Sequence, residues 1–169
     1  MFVLGVDPGL TRCGYCCLDV RKGGTRAIAL GVIRTDPAWP VPQRLAELQR
    51  EMRELMDQTR PAVVAIERVL FQVNVRTAMT VGQASGIVMA TAAARGADVV
   101  EYSPNEVKQT VAGYGSADKS QVAQMVQTLL GLASPPRPAD AADAAAIALC
   151  YAAHAPMRLA AASVGARRP

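Results

Sequence analysis

Apolar residues fall into two rhythms along this chain. Phe2-Val3-Leu4-Gly5-Val6 and Val63-Val64-Ala65-Ile66 are short runs without polar alternation. Such runs predict strands buried on both faces of a sheet. Elsewhere apolar side chains recur at spacings of three and four, as in Leu45, Leu48, Met52, Leu55 and Met56. That spacing predicts an amphipathic helix. Read from the start, the pattern predicts strands at 2–7, 13–19 and 26–34. The last two flank the turn Lys22-Gly23-Gly24. A helix follows at 41–58, with Pro42 near its start and Pro61 beyond its end. A strand at 62–66, a helix at 75–95 and a strand at 98–102 come next. Ser103-Pro104-Asn105-Glu106 has the spacing of a capping box and opens a helix that stops at Gly113-Tyr114-Gly115. Two more helices are expected, at 118–130 and 139–154, the latter after a Pro-rich segment at 135–138.

The predicted order is βββαβαβααα. Strands linked through helices argue for parallel pairing, while the opening three argue for antiparallel pairing. The expected fold class is therefore α/β, a mixed five-stranded sheet flanked by helices on both faces. Its first and fourth strands should be parallel neighbours, joined by a right-handed crossover. One domain over residues 1–155 is the natural reading of the length, with 156–169 as a loose C-terminal tail. The helix at 75–95 carries Ala78, Gly82, Ala84, Ser85, Gly86 and Ala90. Small side chains let another backbone approach, which fits packing on the sheet or a subunit interface equally well.

Acidic residues at the ends of these elements carry the chemistry. Asp7 closes the first strand and Glu67 closes the fourth, so parallel pairing would bring both to one carboxyl edge, where open α/β sheets place ligands. Asp140 and Asp143 lie three apart, on one face of the last helix. Acids in a first helical turn are common, and alone this pair reads as capping. Beside Asp7 and Glu67 it reads differently. Two like charges 4 Å apart repel by ~4 kcal/mol at an effective dielectric of 20. Four carboxylates in one cleft require protons or cations. All-oxygen ligands suit hard ions such as Mg²⁺ or Mn²⁺. Two ions ~3.5–4 Å apart could clamp the attacking and leaving oxygens of a phosphoryl displacement. Neither a Ser nor a Cys nucleophile is needed, and the lone His154 is poorly placed for one.

Composition narrows the setting. The net charge of +4 is compatible with a nucleic-acid partner without requiring one. No apolar run reaches the ~20 residues that span a bilayer, and no leader opens the chain, so no membrane association and a cytoplasmic location are expected. Cys13, Cys16, Cys17 and Cys150 could, with His154, suggest zinc. Positions 13 and 16 of a strand face opposite sides of a sheet, however, so reduced, partly buried thiols are the better reading.

Five blocks carry a resemblance to a known family. They are Leu4-Gly5-Val6-Asp7-Pro8-Gly9, Ile66-Glu67-Arg68-Val69, Val107-Lys108-Gln109-Thr110-Val111, Gly115-Ser116-Ala117-Asp118-Lys119-Ser120-Gln121-Val122 and Ala139-Asp140-Ala141-Ala142-Asp143-Ala144. In this order and spacing, from residue 3 to about 153, they resemble the RuvC family of Holliday junction resolvases. The resemblance implies a ribonuclease-H-like fold, a homodimer and symmetric, metal-dependent nicking of four-way DNA junctions. It implies two Mg²⁺ ions per site, with Mn²⁺ as a substitute, and a RuvA-RuvB branch-migration complex as partner. The family's four metal-binding acids match Asp7, Glu67, Asp140 and Asp143. Its DNA-contacting lysines match Lys108 and Lys119, and Phe71 and Arg76 complete the expected DNA contacts. The family's junction wedge is an aromatic residue three positions after the Glu. Here Leu70 stands there and Phe71 follows, and apolar side chains of either kind can unstack bases. Gly82-Gln83-Ala84-Ser85-Gly86 lacks the Arg the family often shows at the Ser position.

Three rivals remain at this level. Asp7-Pro8-Gly9-Leu10-Thr11 also resembles the phosphate loop of the sugar-kinase and Hsp70-like group, which needs two lobes. A ribonuclease-H-like nuclease acting on RNA would keep the acids. A junction-binding module without catalysis would lack at least one of them.

Overall fold

The structure is a computed structural model. It describes residues 1–69 and 75–165, with the side chains of 75–76 and 156–165 excluded. The strands are β1 (Phe2–Asp7), β2 (Arg12–Arg21), β3 (Gly24–Arg34), β4 (Val63–Glu67) and β5 (Asp98–Tyr102). The helices are α1 (Val41–Thr59), α2 (Val75–Ala93), α3 (Pro104–Ala112), α4 (Lys119–Leu130) and α5 (Ala139–Gly165). The sheet runs β3-β2-β1-β4-β5. β1, β2 and β3 pair antiparallel, whereas β1–β4 and β4–β5 are parallel. The mixed α/β sheet expected from the sequence is therefore the observed one.

β1 and β4 are central strands, which explains their unbroken apolar runs: Leu4, Val6, Val64 and Ile66 face one core, Val3, Val63 and Ala65 the other. The first core is sealed by α1 and α2 through Leu48, Met52, Met56, Ala84 and Val88. The second is sealed by α3, α4 and α5 through Val107, Val111, Val122, Val126 and Ile147. Cys13 lies in the first core and Cys16 in the second, as strand alternation requires. Burial pushes both thiols up to about 12.

α5 lies against β1 and β2 at close range, because the contact is built from glycine and alanine. A Cβ on Gly5 would stand 2.2 Å from the Ala144 carbonyl oxygen, and one on Gly14 would stand 2.0 Å from that of Asp140. Ala144, Ala145 and Ala148 are fully buried in this seam. α5 runs on to Gly165, beyond the end near 154 that the apolar pattern suggests. The segment past 154 is still rich in alanine, the strongest helix former, so local propensity carries the helix on after its apolar periodicity fades.

Candidate metal centre

The parallel register pairs Val6 with Ile66, so Asp7 and Glu67, one residue further, emerge side by side at one sheet edge. Behind Asp7 the chain turns sharply: a Cβ on Gly9 would meet the Arg12 carbonyl oxygen at 2.2 Å. A buried network holds this turn. The Thr35 hydroxyl donates to the Leu10 carbonyl (2.5 Å), Arg44 Nε donates to Thr35 Oγ1 (3.0 Å), and the Arg44 guanidinium also reaches Thr11 Oγ1 (2.6 Å). α1 thus braces the loop that follows the first acid.

The helices on the other face supply the remaining groups. Seated on Gly5 and Gly14, α5 carries Asp143 over the sheet edge. Asp7, Glu67 and Asp143 line one cleft of about 250 Å³, together with Lys108, Lys119, Val107 and Val122. Both lysines are placed by capped helix starts. Ser103 and Glu106 cap α3 reciprocally, as the sequence predicts. Asp118 and Gln121 do the same for α4, making Lys119 its first residue. Lys119 Nζ donates to Asp143 Oδ2 at 2.6 Å. Asp140 stands apart from this cleft. Its carboxylate accepts from Arg12 Nε at 2.8 Å and pairs with the same guanidinium's terminal nitrogen at 2.5 Å. A neighbouring groove of about 790 Å³ shares Lys119 and Asp143 as walls and adds Arg137.

The cleft strongly disfavours negative charge on its strand acids. Burial, then the nearby Glu67 and Asp143 charges, push the Asp7 carboxyl up to about 7, against a smaller opposing pull from Lys119. Glu67 is also raised, first by burial and then by Asp143. Lys119 is raised by its bond to Asp143. These groups fit a hard divalent cation: the donors are all carboxylate oxygens, and the cleft raises the Asp7 and Glu67 carboxyls for want of positive charge. As the side chains stand, no three His, Cys, Asp or Glu residues among the described ones are grouped closely enough to hold an ion. Both helix acids are paired with cations, Asp143 with Lys119 and Asp140 with Arg12.

Of the residues singled out from sequence, Asp7, Glu67, Asp143, Lys108 and Lys119 meet in one place, and Asp140 sits at its margin. Leu70 and Phe71 lie outside the described residues, as does the Arg76 side chain. Ser85 is buried on the inner face of α2, while Gly82 and Gly86 face open space. Sequence reasoning passed over Arg12, Gly5 and Gly14. For the glycines a signal existed, because a lone Gly within a strand marks close backbone approach. Arg12 had none, since its partner is 128 residues away.

Comparison with known proteins supplies the remaining context. A family model described as crossover junction endodeoxyribonuclease RuvC matches residues 3–151. A crossover junction endodeoxyribonuclease RuvC from Moorella thermoacetica is 47% identical over 158 residues, 94% of this chain and 95% of its own. The structure of Thermus thermophilus RuvC superposes with a TM-score of 0.86 at 39% identity, covering 94% of this chain and 97% of the other. T. thermophilus RuvC in complex with a Holliday junction substrate gives 0.85 at 36% identity, covering 93% and 96%.

Proposed function

The chain belongs to the RuvC family of crossover junction endodeoxyribonucleases, and from that premise we propose which of its residues do the work. It binds four-way junction DNA and resolves it by divalent-metal-dependent hydrolysis of phosphodiester bonds. In our reading Asp7, Glu67, Asp140 and Asp143 hold the metal, two Mg²⁺ ions per site, with Mn²⁺ able to substitute. The observation that carries this reading is the meeting of Asp7, Glu67 and Asp143, from three separate elements, in one cleft edged by two lysines. When bound, such ions activate the attacking water and stabilise the departing 3′ oxygen.

The chain's own residues prepare that event. Asp7 and Glu67 are fixed by paired central strands, so the phosphodiester meets a rigid edge. Lys119 and Lys108 stand at the cleft with Asp7 and Glu67, where their charge would draw in a phosphate and neutralise it. Val107 and Val122 give the cleft an apolar wall. The groove bearing Arg137 continues from the same Lys119 and Asp143 and offers the cut strand a basic path. Phe71 and Arg76 complete the DNA-contacting set, with Phe71 or Leu70 as the wedge.

A junction is cut on two strands of like polarity, which two sites related by a two-fold axis achieve. We assign the homodimer contact to α2, supported by the open space over Gly82 and Gly86 and by Met79, 58% exposed on the same helix. The nuclease domain is residues 1–155, with 156–169 as a tail. A RuvA-RuvB complex is the expected partner. The cytoplasmic assignment is supported by four cysteines that form no disulfide, and no described helix is long and apolar enough to cross a membrane.

The test is a nicking assay on a four-way junction with Mg²⁺ and with Mn²⁺. Wild type should cut. Each of Asp7→Asn, Glu67→Gln, Asp140→Asn and Asp143→Asn should bind the junction and leave it whole. Wild-type cutting by any one of the four removes that acid from the site.

A further inference from the structure

The four carboxylates are not held alike, and the odd one is Asp140. It does not line the cleft shared by Asp7, Glu67 and Asp143. Among the charges acting on Asp7, Asp140 has the smallest effect, behind Glu67, Asp143 and Lys119. Its carboxylate is taken by two nitrogens of Arg12, the first residue of β2, at 2.8 and 2.5 Å. The side chains are 41% and 27% exposed, so the pair sits at the mouth of the site, open to ions from solution. A second cation is paired with Arg12 in the sheet. Its register partner on β3 is Arg34, a like charge directly across the strand pair. Backbone geometry keeps the two in reach. Gly14, two residues after Arg12, lies directly under the Asp140 backbone, where even a Cβ would not fit.

We propose that Arg12 is a positioning residue that holds Asp140 away from the metal site, so that a divalent ion must compete with its guanidinium for this carboxylate. The inference rests on the reading of Asp140 as a metal-binding acid. Both guanidinium nitrogens converge on Asp140 Oδ2, and an ion that takes this oxygen must first break those charge-assisted contacts. The lysine on Asp143 acts from within the cleft, while Arg12 acts from its rim. Arg12 thereby lowers affinity for the ion while the site is otherwise ready, and it becomes free to face a phosphate when the ion has displaced it.

The experiment measures Mn²⁺ binding calorimetrically to the full chain without DNA, for wild type, Arg12→Gln, Asp140→Asn and the double variant. Unfolding midpoints in chelator confirm that each is folded. If Asp140 binds the ion, Asp140→Asn weakens Mn²⁺ binding in either background. An unchanged Kd there would sink the metal-ligand reading itself. Given that weakening, Arg12→Gln should tighten Mn²⁺ binding by roughly threefold to fivefold, as expected for removing a half-exposed ion pair. The gain should vanish when Asp140 is already Asn. An Arg12→Gln Kd equal to or weaker than wild type overturns the proposal, as does a gain that persists in the double variant.

Discussion

The two strand acids and the two helix acids are matched chemically and held in opposite ways. Asp7 and Glu67 end central strands, half-buried, and both carboxyls are raised first by burial and then by neighbouring carboxylates, Asp7 by Glu67 and Asp143, Glu67 by Asp143. Asp140 and Asp143 lie in the first turns of α5, with side chains 27% and 22% exposed, and each is paired with a cation from another element. The strand acids are rigid and short of positive charge. The helix acids are charge-satisfied and must change partner before they can ligate. A metal site built this way takes its geometry from the sheet and its adjustability from the helix.

The largest break in this comparison comes from charge. Asp7→Asn should lower junction cutting about a thousandfold or more, since on our assignment it removes a ligand from a divalent metal that contributes several kcal/mol to the transition state. In chelator the same change should make the protein more stable, whereas Asp143→Asn should leave it within about 1 kcal/mol of wild type because its partner Lys119 is mostly exposed. Equal responses of the two variants in denaturant unfolding would abolish the distinction between strand and helix acids.

The next effect is one of pH. The folded pKa of Asp7 lies near 7, above its ordinary 3.8, so its contribution to stability is complete below the lower value and is lost as pH rises through the upper one. Glu67 acts in the same direction. Metal-free wild type should therefore lose a few kcal/mol between about pH 4 and pH 7, and saturating Mg²⁺ should restore most of it. Asp7→Asn should show a much flatter profile. A flat wild-type profile in chelator would show that the strand acids feel no such repulsion.

Smaller changes test the seating of the helix. Gly14→Val should cost about 1–3 kcal/mol of stability, as overpacking does, and should slow cutting by shifting Asp140 and Asp143 from the strand acids. Unchanged stability and cutting would mean that α5 does not depend on this close approach. Smallest is Asp118→Ala, expected to cost about 1 kcal/mol through loss of the cap that makes Lys119 the first residue of α4. Thermal unfolding of the variant checks it.

Much of this was legible in the residue order. The strand acids could be read because an unbroken apolar run marks a central strand and the residue that ends it lies at the sheet's rim. The capping box at Ser103 and Glu106 was legible because its partners are three residues apart. Asp140 and Asp143 could be joined to each other by helical spacing. Their pairing with Lys119 and Arg12 could not be read, because those partners lie 24 and 128 residues away. The end of α5 at Gly165 was not legible, because apolar periodicity fades near 154 while the alanine-rich sequence keeps its helix propensity.

By itself the sequence determined the order of elements, the parallel pairing that sets Asp7 beside Glu67, and the choice of the four acids to which we assign the chemistry, since all of these follow from local spacing and strand connectivity. The tertiary structure decided how α5 meets the sheet. That contact rests on Gly5 and Gly14, where the absence of a Cβ lets a helix backbone lie against two strands. The same approach separated the acids into a pair held in the sheet and a pair held by cations. Helix-to-sheet distance is a property of packed volume, which no local pattern encodes.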